Sequence, residues 1–211
     1  MKKGFTLVEL LAILVILGLI GLLVYPAIEN TIKGVRKDLY KTQKSTLIAG
    51  LKNWVVDHPR SLPERNGEVV YVSLGQLKLG AYVDIDISDP RTDKLFDNAT
   101  QTIIKRENGK YKYEVLLDDE TLEETEKVEN ITYPKVEFKG SEVVYLSIND
   151  PYADEGLIIN GDLCIRDECN YTNEVNFDFS NVDTSNAGSY YVKYTISEIN
   201  NLVIYRTVIV R

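Results

Sequence analysis

The sequence predicts an α+β chain. A long N-terminal helix, with a transmembrane half and an amphipathic half, packs on a small antiparallel sheet, and an all-β sandwich follows. Three observations predict this. From Phe5 to Tyr25, 21 residues carry a single charge, Glu9. Beyond Pro26, apolar residues recur every three or four positions as far as Val55, the signature of one helical stripe. After residue 134 the pattern changes to short alternating strands separated by turn residues. The implied organisation is a leader (1–4), a transmembrane and assembly helix (5–56), a first globular body (57–117), an acidic linker (118–134) and a second, all-β body (135–211).

Composition narrows the function. With 211 residues there is room for one or two domains. An apolar fraction of 44% and a charged fraction of 27% exclude a disordered, collagen-like or disulfide-dense chain. The net charge of −8 opposes duplex binding by bulk electrostatics, and one histidine (His58) with two cysteines leaves little from which to build a zinc site. The charge is unevenly spread: 0 over residues 1–30, +5 over 31–60, −7 over 61–134 and −6 over 135–211.

The apolar head is long enough, at 1.5 Å per residue, to cross a hydrocarbon core of about 30 Å. Lys2 and Lys3 would stay cytoplasmic and send the C-terminus outside, which places the protein in the cytoplasmic membrane as a single-pass chain. A secretory signal would need a small-residue cleavage site after the run, and Tyr25-Pro26 is not one. A plain signal anchor fits the length but leaves Glu9 unexplained, since a carboxylate at mid-membrane costs about 2.5–3.5 kcal/mol.

Lys2-Lys3-Gly4-Phe5-Thr6-Leu7-Val8-Glu9-Leu10-Leu11 resembles the leader and methylation motif of type IV prepilins and pseudopilins. The resemblance implies that a prepilin peptidase cuts after Gly4, that Phe5 becomes an N-methylated amino terminus, and that Glu9 pairs with that amine on a neighbouring pilin subunit. Physics favours such a pair, because an ammonium and a carboxylate buried separately each cost several kcal/mol. Glu9 is not expected to reach the amino terminus of its own chain without straining the first turn. Gly18 and Gly21 would allow close helix approach, or are ordinary membrane-helix residues. Pro26 removes a backbone donor and is expected either to kink the helix or to open it.

The stalk carries Lys33, Arg36, Lys37, Lys41, Lys44 and Lys52 between its apolar positions. These suit anionic lipid, DNA or, preferably, a solvated face beside acidic neighbours; direct DNA binding is not expected. His58-Pro59 and Ser61-Leu62-Pro63 end the helix. In the first body, Val69–Val72 is a short apolar run, and Ser73 and Gly80 cap a short helix between them. Asn108-Gly109 joins strands 102–105 and 111–116 in a hairpin. This arrangement resembles a pilin body, as does the Leu74–Val83 stretch. Asp84, Asp86, Asp89, Asp93 and Asp97 raise the question of calcium. The EF-hand spacing is absent, with Leu95 at the twelfth position, so a solvated acidic loop is expected and no cofactor.

In the second body, strands are expected over 135–138, 143–148, 175–179, 190–196 and 203–210. Tyr152-Ala153-Asp154-Glu155-Gly156 and Val182-Asp183-Thr184 through Thr195 resemble bacterial immunoglobulin-like surface repeats. That resemblance implies an immunoglobulin-like sandwich used for presentation, adhesion or binding of a surface ligand, without an active site. Cys164 and Cys169 suit a disulfide at a hairpin tip outside the membrane. No phosphate loop, zinc-protease or serine-hydrolase motif is present. The sequence therefore points to a non-enzymatic subunit of a type IV pilus or pseudopilus, minor or specialised, serving adhesion, DNA uptake or secretion. The alternative is an unpolymerised, membrane-anchored surface binding protein.

Overall fold

The computed structural model describes residues 6–117, 135–165, 168–169, 175–197 and 201–211. It shows an α+β chain built on one very long helix, α1 (Leu7–Asp57). At 1.5 Å per residue, its 51 residues extend about 77 Å. Thr6 caps its start and His58 its end, where Pro59 prevents continuation.

The first body follows as β1 (Val69–Ser73), α2 (Leu74–Leu79), the short pair β2 (Ser88–Asp89) and β3 (Lys94–Leu95), and the hairpin β4 (Gln101–Glu107) and β5 (Lys110–Leu116). The order β1-β4-β5 forms an antiparallel sheet. Asn108 and Gly109 both adopt positive φ, the geometry a two-residue hairpin turn requires. The short helix α2 is set by a capping box: Ser73 accepts from Gln76 N–H at 3.0 Å, and Gln76 Oε1 accepts from Ser73 N–H at 2.8 Å. Leu47, Leu51 and Trp54 of α1 pack with Val70, Val72, Leu74, Leu77, Ile104 and Val115 in one core. The stripe read from the sequence thus turns toward the sheet only in its C-terminal part; Ile28, Ile32, Val35 and Leu39 remain exposed.

The second body contains β6 (Val136–Phe138), β7 (Val143–Leu146), β8 (Leu157–Ile159), β9 (Asp162–Ile165), β10 (Glu168–Cys169), β11 (Val175–Asp178), β12 (Gly188–Ile196) and β13 (Leu202–Val210). Two four-stranded sheets, β6-β8-β9-β10 and β7-β13-β12-β11, close on a shared apolar core. β7 runs parallel to β13, pairing Val144 with Val208, while β6 lies in the opposite sheet. Strands β8 and β9, joined through Asn160-Gly161 at positive φ, were not expected from the sequence.

The two bodies are more than tethered. All nine residues of β13 are buried. Leu202, Ile204, Val208 and Val210 fill the sandwich core. The alternate residues face the first body: Ile209 joins the core of α1, Thr207 Oγ1 accepts from Tyr71 N–H at 2.9 Å, and Tyr205 N–H donates to Gln76 Oε1 at 2.9 Å. The free edge of β1 is thereby satisfied by side chains instead of another strand: Val69 N–H donates to Ser189 Oγ at 2.8 Å. Gly75 is obligatory at this junction, because a Cβ there would lie 2.4 Å from the Val203 carbonyl oxygen.

Candidate functional site

The candidate site is the N-terminal half of α1, together with the contacts that orient the bodies upon it. Gly4 and Phe5 lie outside the described residues. Thr6 and Glu9 are close to the expected cut and form a capping box. Thr6 N–H and Oγ1–H each donate to Glu9 Oε2 at 2.8 Å, and Glu9 N–H donates to Thr6 Oγ1 at 3.3 Å. Glu9 thus turns back onto Thr6, while Phe5, whose amine it is not expected to reach within its own chain, lies outside the described residues. The second Glu9 oxygen, Oε1, has no hydrogen-bond partner among the described residues. Thr6-x-x-Glu9 is itself a helix-start pattern that the motif reading passed over.

Along the head, Leu7 is 84% exposed and Tyr25 71%, with Leu10, Leu11, Leu14, Ile16, Leu17 and Leu19 all more than half exposed. Contiguous apolar surface of this extent requires a cover of lipid or protein. Gly18 and Gly21 have nothing within 4 Å of an added Cβ, so neither is needed for packing within the chain. Helix α1 continues without a break through Pro26, whose side chain is outside those described. Because proline lacks an N–H, the Leu22 carbonyl has no helical donor there. Among the described residues, no helix is long and apolar enough to cross a membrane.

Lower on the stalk, the body grips the helix through the Asp-Pro turn. Arg91 is held by Asp89, with Nη2 to Oδ2 at 2.7 Å and Nε to both carboxylate oxygens. Its guanidinium lies 3.7 Å from the centre of the Tyr40 ring. Arg36 completes the clasp, donating to the Arg91 carbonyl at 2.9 Å and to Asp93 Oδ2 at 3.0 Å. Of the aspartates considered for calcium, Asp89 and Asp93 are thus engaged by arginines, Asp97 caps the Ala99 N–H at 2.8 Å, and Asp84 and Asp86 are exposed. Among the described residues, no group of three or more histidine, cysteine, aspartate or glutamate side chains is placed to hold a metal ion.

At the other end of α1, the His58 ring stacks on Trp54 at 4.4 Å. Its Nε2 lies 3.5 Å from Glu142 Oε1, which ties the helix end to the second body. Within the second body, Arg206 is 1% exposed. Its Nη1 donates to Asp154 Oδ2 at 3.0 Å, and Nη2 donates to the Lys139 and Gly156 carbonyls at 2.7 and 2.9 Å. The hydroxyls of Tyr152 and Tyr194 also donate to Asp154 Oδ2. Burial and this carboxylate raise both tyrosines well above the ordinary phenol range. The Tyr152–Gly156 motif is therefore a buried structural network. Cys164 is fully buried and disulfide-bonded, and the chain's other cysteine, Cys169, lies directly across the β9–β10 ladder, its side chain outside those described.

Residues 1–25 match the family model of the prokaryotic N-terminal methylation motif. The match covers Gly4, Phe5 and Glu9, and it supports a type IV pilin-like precursor. This motif implies processing by a prepilin peptidase and assembly with other pilins. No curated protein matches the chain.

Proposed function

We propose that this protein is a structural, non-catalytic subunit, minor or specialised, of a type IV pilus or pseudopilus. It is cut after Gly4, N-methylated at Phe5 and polymerised through α1. Before assembly it is a single-pass protein of the cytoplasmic membrane with its C-terminus outside; afterwards it belongs to a cell-surface filament. The observation that carries the reading is the union of a methylation motif with a helix of 51 residues whose first turns are apolar and unpartnered. On that helix, Glu9 keeps one oxygen on Thr6, and a neighbouring subunit's ammonium is proposed to take the other.

The second body is read as an immunoglobulin-like module that faces outward for adhesion, DNA uptake or secretion. Its two facing sheets, with β6 and β7 divided between them, support that reading. No cofactor is assigned. The test is mass spectrometry of the N-terminal peptide from the protein's own cells, with and without the prepilin peptidase. The expected result is a chain beginning at N-methyl-Phe5 only when the peptidase is present. A chain beginning at Met1 in peptidase-containing cells overturns the proposal and leaves the membrane-anchored binding protein.

A further inference from the structure

Lys78 is buried where a lysine is costly. On α2 it is 4% exposed, beside the apolar core residues Leu77 and Phe96. Among the described residues its Nζ touches no carboxylate: it donates to the Phe96 carbonyl at 3.0 Å and to Asn98 Oδ1 at 3.0 Å. Asn98 is itself 5% exposed. Two neutral acceptors stabilise an ammonium poorly, and burying a charge without a counter-ion is strongly unfavourable. The same surroundings suit a neutral amine. Since Nζ already touches Oδ1, the Asn98 carbonyl carbon is at most one C=O bond further, within about 4.2 Å, so Nζ must move by up to about 1 Å, over the carbonyl face, to reach attack distance.

We propose that Lys78 and Asn98 form an intramolecular amide that locks α2 to the segment after β3. Neutral Nζ attacks Cγ of Asn98, and the new Nζ–Cγ bond replaces the Cγ–Nδ2 bond. One Nζ proton moves to Nδ2, which departs as ammonia, so atoms balance and nothing is oxidised or reduced. Lys78 also borders a cleft of about 560 Å³, which offers ammonia a way out. Burial lowers the Lys78 amine to about 8, with Asp97 and Asp86 opposing the shift, so about a tenth is neutral at pH 7. The link closes the chain around the Asp-Pro turn that grips Arg36 and Tyr40, fixing the body on the stalk against pull along a filament.

The test is peptide mapping of the full-length protein from its own cells, digested with trypsin. The expected result is no cleavage at Lys78 and one branched peptide, lighter by one ammonia than its two parts, containing Lys78 and Asn98. The branched peptide must vanish in Asn98→Ala. Complete cleavage at Lys78 with an unmodified Asn98 peptide in the parent chain overturns the proposal, whatever the variant does. A branched peptide that persists in Asn98→Ala overturns it as well.

Discussion

Replacing Asp154 by Asn should be among the most damaging single changes in the second body. The substitution keeps the shape of the side chain and removes its charge. Arg206 then keeps two carbonyl acceptors on Nη2, no carboxylate, and an Nε that has no partner among the described residues. The guanidinium lies across β13, with Phe138 and Tyr194 rings 4.9 and 5.8 Å from it, and is sealed from water. Breaking a buried ion pair from one side costs about 3–5 kcal/mol, about a fifth or more of the 5–15 kcal/mol stability of an ordinary domain. Urea unfolding of the full chain in mild detergent, followed by near-ultraviolet circular dichroism of the tyrosines, would show the loss as a lower midpoint at unchanged slope. The double variant Asp154→Asn/Arg206→Met removes both charges and should recover much of it. A loss below about 1 kcal/mol for Asp154→Asn, or no recovery in the double variant, refutes the assignment of the charge pair as the source of the cost.

Other outcomes follow from the same geometry. Gly75→Ala forces a methyl against the Val203 carbonyl, backbone that cannot yield, and should cost about 1–3 kcal/mol by thermal unfolding. Reducing the disulfide at Cys164 should cost about 2 kcal/mol, since only a short loop is closed; an unchanged melting temperature after reduction would exclude a constraint there. In newly made chain, before any amide forms, Lys78 is lowered from 10.5 to about 8, so the folded state binds its proton less tightly than the unfolded state. The penalty is full below pH 8 and is relieved as pH rises toward 10.5, by up to about 3 kcal/mol, relative to Lys78→Met. Tyr82 and Tyr145, pushed up to about 12, act oppositely above pH 10, so the comparison is best read between pH 8 and 9.5.

The local elements were legible because each has a local cause. Ser73 and Gly80 announced α2, Asn108-Gly109 announced the hairpin, and His58-Pro59 ended α1. Strands β8 and β9 escaped because Leu157-Ile158-Ile159 is too short to show alternation before Asn160-Gly161 turns the chain. The union of the bodies escaped for another reason. Leu202–Val210 reads as nearly continuous apolar residues, the mark of a strand buried on both faces, but Arg206 in its middle gave it the look of a strand with one solvated side. Only the structure shows that the arginine points into a core. The clasp of Arg36 and Arg91 on Tyr40 and Asp93 joins residues far apart in sequence, which no spacing rule reaches.

These joints bear on how a second body can be carried on a helix of this kind. A module on a flexible acidic tether would swing freely and transmit no load. Here β13 belongs to two cores at once, and Arg211 binds Glu64 and Glu68 of the first body at 3.0 and 3.1 Å. Exposed ion pairs add little by themselves, so the apolar face of Val203, Tyr205 and Ile209 must carry most of the attachment. Force entering through α1 would pass to the first body at Leu47, Leu51 and Trp54, and from there to the second body through β13. The acidic segment between the bodies is then freed from bearing load. Shortening it by a few residues should leave the thermal midpoint of the whole chain unchanged, whereas Ile209→Asp on β13 should split unfolding into two transitions. A single transition in Ile209→Asp, at the parent midpoint, would show that β13 does not couple the bodies.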